Sequence, residues 1–140
     1  MGITHLRGLE GETAVLNRLI QLGYEVLHPW NSYLGYDLAY VMTDEESKVV
    51  EFVRVQCKMA RLSKDQACLI FNTCSCAEWG RKKHNYHGQA EMFGVYSPNT
   101  GKVYMIPVAG SGKGSEIHLR LAPTKNNQEK VIRWAKDYEI

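Results

Sequence analysis

The sequence predicts a single α/β or α+β domain spanning residues 1–140, a central mixed β-sheet flanked by helices. Three observations lead there. Apolar residues recur at helical spacing near both ends of the chain. Between them, VVEFVRVQCKMA (49–60) alternates and is rich in β-branched residues, as strands are. Further on, MFGVYSP and KVYMIPV flank PNTG (98–101), a hairpin signal. A chain of 140 residues suffices for one core, and no repeat or linker divides it.

Each element follows from its own residues. Residues 4–22 read as a helix with Leu9, Leu16, Leu19 and Ile20 as the apolar stripe and Gly23 as the stop. Glu12 falls about 20° from Leu19 and about 40° from Leu16 on the helical wheel, so a carboxylate lies on the inward stripe. Such a group is costly to bury unless something pairs with it. Tyr24–Pro29 reads as a short strand, 31–35 as a loop, and Tyr36–Met42 as a second strand with Asp37 near its start. The acidic turn TDEES (43–47) closes a hairpin into the strand at 49–60. That strand puts Val53, Val55, Cys57 and Met59 on one face and Arg54, Gln56 and Lys58 on the other. Either an edge strand with a wet face or a strand carrying an active site has this pattern. ACLIFNT forms a further strand, 79–88 a loop or short helix, and the final helix starts near Asn126 and buries Val131, Ala135 and Tyr138.

The formal net charge of +2 does not by itself announce a nucleic-acid partner. The segment WGRKKHNYHG (79–88) is more telling, because its cations interleave with Trp79 and Tyr86. That mixture suits a phosphate backbone and exposed bases, although a solvated basic face has the same composition. No apolar run is long enough to span a membrane, and no basic-then-apolar leader pattern opens the chain, so a cytoplasmic protein is expected. Cys74, Cys76, His84 and His87 hint at zinc, but Cys-x-Cys is not the usual spacing, and packing thiols are the better reading. GSGKGS (110–115) fails the phosphate-loop pattern, with Pro107 and Gly114 where Gly and a hydroxyl belong; it reads as a flexible loop.

Four polar residues remain that the coarse fold places inward or at strand ends: Glu12, Asp37, Gln56 and Lys58. Taken singly each has a plain explanation, Lys58 as solvation, Asp37 as a turn residue, Gln56 as a cross-strand partner. Together they have a chemistry. Two carboxylates and an amide oxygen can hold a hard divalent cation such as Mg²⁺. A lysine beside it can orient a water or offset charge building on a phosphate.

RGLEGETAVLNRLIQLGYEVLHP, YDLAYV and RVQCK, in that order, resemble the PD-(D/E)-x-K nuclease superfamily, and most closely its group I intron homing endonuclease branch, which is related to Holliday-junction resolvases. MFGVYSPNTGKVYMIPV is similar to that branch's later hairpin, and LRLAPTKNNQEKVIRWAKDYEI to its tail. The resemblance implies a restriction-endonuclease-like core and a Mg²⁺- or Mn²⁺-dependent, site-specific double-strand DNA endonuclease that leaves a 5′-phosphate and a 3′-hydroxyl. It implies catalytic roles for Glu12, Asp37, Gln56 and Lys58, with Asp37, Gln56, Glu12 and the backbone carbonyl of Cys57 toward the metal. Tyr36 stands where the motif has proline, and Gln56 replaces the more usual Asp or Glu. Expected DNA contacts are Arg61, Lys64, Arg81, Lys82, Lys83 and Lys125. One small chain must cut two strands, so a homodimer or homotetramer is expected. A junction resolvase and a catalytically inert DNA-binding module are the rival readings.

Overall fold

A computed structural model describes residues 2–76, 83–126 and 131–140. Helix α1 (Ile3–Gln21) is followed by strands β1 (Val26–Leu27), β2 (Leu38–Thr43) and β3 (Val50–Met59). Then come β4 (Arg61–Leu62), β5 (Cys68–Asn72), β6 (Cys74–Cys76), β7 (Lys83–Asn85), β8 (Met92–Ser97), β9 (Lys102–Pro107) and β10 (Glu116–Arg120). The main sheet has the order β1-β2-β3-β8-β9. It is mixed, because β3 and β8 run parallel while the other neighbours run antiparallel. A three-stranded sheet, β10-β5-β4, and the ribbon β6-β7 complete the topology.

The strand at 49–60 is therefore an interior strand, hydrogen-bonded on both sides, and not an edge. Its two faces serve two cores. Val55 packs with Val15, Leu19, Leu38, Tyr40, Val103 and Met105 under the helix, with Val53 and Cys57 alongside. The opposite face meets a second core of Leu69, Phe71, Tyr86, Phe93, Val95, Ile106, Ile117 and Leu119. Gln56 and Lys58 register with Phe93 and Val95, so they stand half-buried within this second layer and not on a wet face.

The helix docks through Gly11, Val15 and Leu19, one line at i, i+4, i+8. The expected stripe is thus rotated: Leu16 is half-buried, whereas Leu9 and Ile20 are exposed on the flank. The rotation has a packing cause. A Cβ on Gly94 would lie 2.7 Å from Val15 and 2.8 Å from Val55, so glycine there lets helix and sheet close on Val15. Glu12 remains beside the buried line and is half-buried.

The acidic turn and the PNTG hairpin form as expected, with Tyr40 opposite Val53 and Gly94 opposite Met105. The first strand is shorter than expected, two residues, and Asp37 lies just ahead of β2. Residues 83–88 form a strand and a turn instead of a loop or helix, and Arg81 and Lys82 lie outside the described residues. β10 was not expected, although Ile117 and Leu119 alternate with exposed Glu116 and His118. The loop between β9 and β10 is pinned: Ser111 Oγ donates to the Val108 carbonyl at 2.6 Å and Thr73 Oγ to that of Gly114 at 2.9 Å.

The expected C-terminal helix is absent from the described residues, which exclude 127–130. Val131 is exposed at φ 64°, and only a 3₁₀ turn forms, Ala135–Asp137. The tail's backbone is committed to strands: Ile140 N donates to Val103 O, while the Tyr138 and Arg133 carbonyls accept from Met105 N and Arg120 N. The tail thereby covers the edge strand β9, and an exposed sheet edge favours that pairing over a free helix. Among the described residues no helix is long and apolar enough to cross a membrane.

Candidate active site

The site forms where β2 begins. The last registered pair is Leu38 opposite Val55, so Asp37 falls opposite Gln56. Asp37 N donates to Val55 O at 2.8 Å, and the Cys57 amide donates to Asp37 Oδ2 at 2.8 Å. The carboxylate is thus locked onto β3 through one oxygen. Tyr36, in the proline position, lies under Arg54, whose guanidinium carbon is 5.9 Å from the ring centre. Arg54 is itself held by Glu91, Nη2 to Oε1 at 2.6 Å, and its amide donates to Glu91 Oε2 at 2.7 Å. Where proline would stiffen the approach to Asp37 covalently, a stacked and ion-paired side chain stands against it.

Burial pushes the Asp37 carboxyl above its ordinary value. The Cys57 amide opposes this, the Glu12 charge adds to the rise, and Lys58 and His28 pull it down. These couplings bring Glu12, Asp37 and Lys58 together electrostatically: the helix supplies Glu12 and β3 supplies Lys58. Glu12 Oε1 also lies 3.3 Å from His28 Nε2. Burial, then the charges of Asp37 and Glu12, push the Cys57 thiol well above its ordinary value. The side chain packs with the helix-side core.

Lys58 Nζ donates to Tyr86 Oη at 3.2 Å and lies 4.6 Å from the ring centre. Tyr86 is buried and meets Phe93 edge-on, 5.9 Å between centroids. The sequence offered Tyr86 as an aromatic for exposed bases; its burial removes it from that role and makes it the seat of the Lys58 ammonium. The signal missed was pairing with Phe93, which is distant in sequence and near only in the fold. The Gln56 amide has no hydrogen-bond partner among the described residues.

The carboxylates of Asp37 and Glu12, the Gln56 amide and the Cys57 carbonyl are oxygen donors that could hold a cation, although among the described residues no group of three or more His, Cys, Asp or Glu is gathered as a metal site. Hard divalent cations prefer such donors, and a cation would relieve the repulsion that helps raise the Asp37 carboxyl. The residues therefore fit Mg²⁺ or Mn²⁺. The zinc alternative loses its geometry, because Cys74 registers with Asn85 and Ser75 with His84, which puts Cys74 and His84 on opposite faces of the ribbon.

The expected DNA contacts do not form one described patch. Arg61 is engaged by Glu116 at 2.6 Å. Lys64 is exposed between β4 and β5, and Lys125 is exposed beside a cleft of about 800 Å³ that Arg120 also lines. Lys83 lies in β7, and Arg81 and Lys82 fall outside the described residues.

The comparison with curated proteins finds no match. A solved structure described as a bacterial homing endonuclease, I-Ssp6803I, is similar, with a TM-score of 0.71 and 23% identity over 99% of this chain and 89% of that one. At that identity the likeness speaks to the fold, and it agrees with a restriction-endonuclease-like core. The PD-(D/E)XK endonuclease family matches residues 3–140, a span that includes Glu12, Asp37 and the Gln56–Lys58 segment. With the match running through the whole site and to the last residue, the chain belongs to the PD-(D/E)XK endonuclease family.

Proposed function

We propose that this endonuclease is of the homing type: a site-specific enzyme that cuts double-stranded DNA with Mg²⁺ or Mn²⁺ and leaves a 5′-phosphate and a 3′-hydroxyl. The observation that carries the reading is the locked Asp37 carboxylate, coupled to Glu12 on one side and to Lys58 on the other. Asp37, Glu12, Gln56 and the Cys57 carbonyl would hold the cation. When bound, a divalent ion supplies charge to a phosphate oxygen and acidifies water. The chain's own residues do the rest. Tyr86 seats the Lys58 ammonium, which retains two further donors. One orients the attacking water, and the other faces the charge that develops on the phosphate. Glu12 adds the second negative charge that Gln56 does not supply.

One chain carries one such site, so cutting both strands calls for a homodimer or homotetramer with two-fold symmetry. In the same proposal residues 1–140 form one cytoplasmic domain whose DNA contacts are Arg61, Lys64, Arg81, Lys82, Lys83 and Lys125. The test is incubation with a plasmid pool carrying randomised inserts, with Mg²⁺ or EDTA, beside a four-way junction. Mg²⁺-dependent linearisation of a subset, with ligatable 5′-phosphate ends, supports the reading. Cleavage of the junction alone would make the enzyme a resolvase, and duplex binding with no cleavage under either ion would make it an inert module.

A further inference from the structure

We propose that the loop between β1 and β2 is an aromatic prong that enters duplex DNA beside the scissile phosphate, with Trp30 and Tyr33 stacking on bases there; this rests on the nuclease reading above. Trp30 is fully exposed and Tyr33 nearly so, with Leu34 part-exposed beside them. Single exposed aromatics are ordinary, but two of this size on one short loop are not.

The loop is anchored on the site at both ends. At one end His28 Nε2 meets Glu12 Oε1 at 3.3 Å, and Trp30 follows two residues later, so its Cα lies within about 7 Å of that of His28. At the other end the loop runs into Asp37, locked on Cys57. Its shape is built. Asn31 Oδ1 accepts from the Tyr33 amide at 2.7 Å, an Asx turn. Gly35 lies so close to Gln89 that a Cβ would stand 2.7 Å from that residue's own Cβ. The turn therefore presents its aromatics outward from a fixed base.

Position decides the occupant. A protein surface covering Trp30 permanently would also close the approach to Glu12 and Asp37. A duplex, by contrast, must come to that mouth in every turnover. Every base has a π-face, so aromatic stacking needs no particular sequence, and a wedge between base steps opens the backbone that the site must reach.

The test uses the full chain with Ca²⁺ in place of Mg²⁺ and a mixed-sequence duplex oligonucleotide at low salt. Acrylamide quenching reads the exposure of the three tryptophans. Duplex should reduce the quenching of the wild type by clearly more than that of Trp30→Phe, whose remaining change reports only the other two tryptophans. Trp30→Ala with Tyr33→Ala should weaken duplex binding by about tenfold or more. Thermal melting should not move, since neither side chain is buried. Duplex binding that leaves Trp30 fully quenchable overturns the prong and leaves the nuclease reading intact. Trp30 shielded without DNA, in an oligomer that Trp30→Ala dissolves, also overturns it in favour of a second copy. A wild type that neither binds duplex nor cuts DNA removes the nuclease reading, and the prong with it.

Discussion

Lys58 has one of its three donors committed to Tyr86, and that contact divides the site into two testable halves. In the proposed mechanism Lys58 acts on charge present only in the transition state, so Lys58→Ala should abolish cleavage while duplex affinity and folding stay near wild type. Tyr86→Phe keeps the ring and loses the hydroxyl. It should lower kcat by about tenfold with KM unchanged, because the ammonium is no longer fixed in place. A raised KM with kcat unchanged would give Tyr86 a role in binding instead. Asp37 makes a different prediction. Folding raises its carboxyl pKa, so the neutral form is favoured in the native state. Its stabilising contribution is complete below the ordinary value of 3.8 and is lost as pH rises through the higher folded value. Asp37→Asn removes that loss while an amide oxygen can still accept from Cys57. The variant should melt above the wild type at neutral pH without metal, and Mg²⁺ should stabilise only the wild type. Gln56→Glu should tighten Mg²⁺ and keep measurable cleavage, whereas Gln56→Ala should lose more; a dead Glu variant beside an active Ala variant would remove Gln56 from the metal side. Alternation and helical spacing single out the polar quartet in the sequence, and of its members the fold ties Asp37 to the Cys57 amide and Lys58 to Tyr86. Tyr86 and His28 were not legible there, because each acts through a contact set only by the folded chain.

At the scale of elements, strands with strong local signals were legible and the tail was not. PNTG between two apolar runs and the acidic turn before β3 carry their own turn chemistry. The tail residues Val131, Ala135 and Tyr138 have helical spacing, yet their backbone neighbours pair with β9 and β10, a tertiary outcome that periodicity does not contain. Of the two readings open for β3, the wet edge is excluded by tertiary pairing: β3 is interior to its sheet, and the second core on that face draws on β10, a short strand behind a glycine loop. The helix–sheet contact has a sharp requirement at Gly94. Gly94→Ala would drive a methyl against Val15 and Val55, and should destabilise by about 1–3 kcal/mol. Urea unfolding reads it as a lower midpoint at unchanged slope. An unchanged midpoint would mean that the helix can retreat at no cost.

Across the whole molecule, two cores on the two faces of one sheet hold α1, β2 and β3 in fixed relation, and the candidate site draws its residues from these three elements. Net charge is nearly balanced, so the proposed function rests affinity for DNA on local cations and on the proposed contacts of the β1–β2 loop. In the proposed function the Asp37–Lys58 junction is where phosphodiesters are cut. A plasmid pool with randomised inserts, incubated with Mg²⁺ and either wild type or Lys58→Ala at matched duplex affinity, tests it. Wild type should linearise a subset of plasmids and fall silent with EDTA, and Lys58→Ala should leave every plasmid supercoiled. Cleavage by Lys58→Ala within about tenfold of wild type would place the chemistry elsewhere in the molecule.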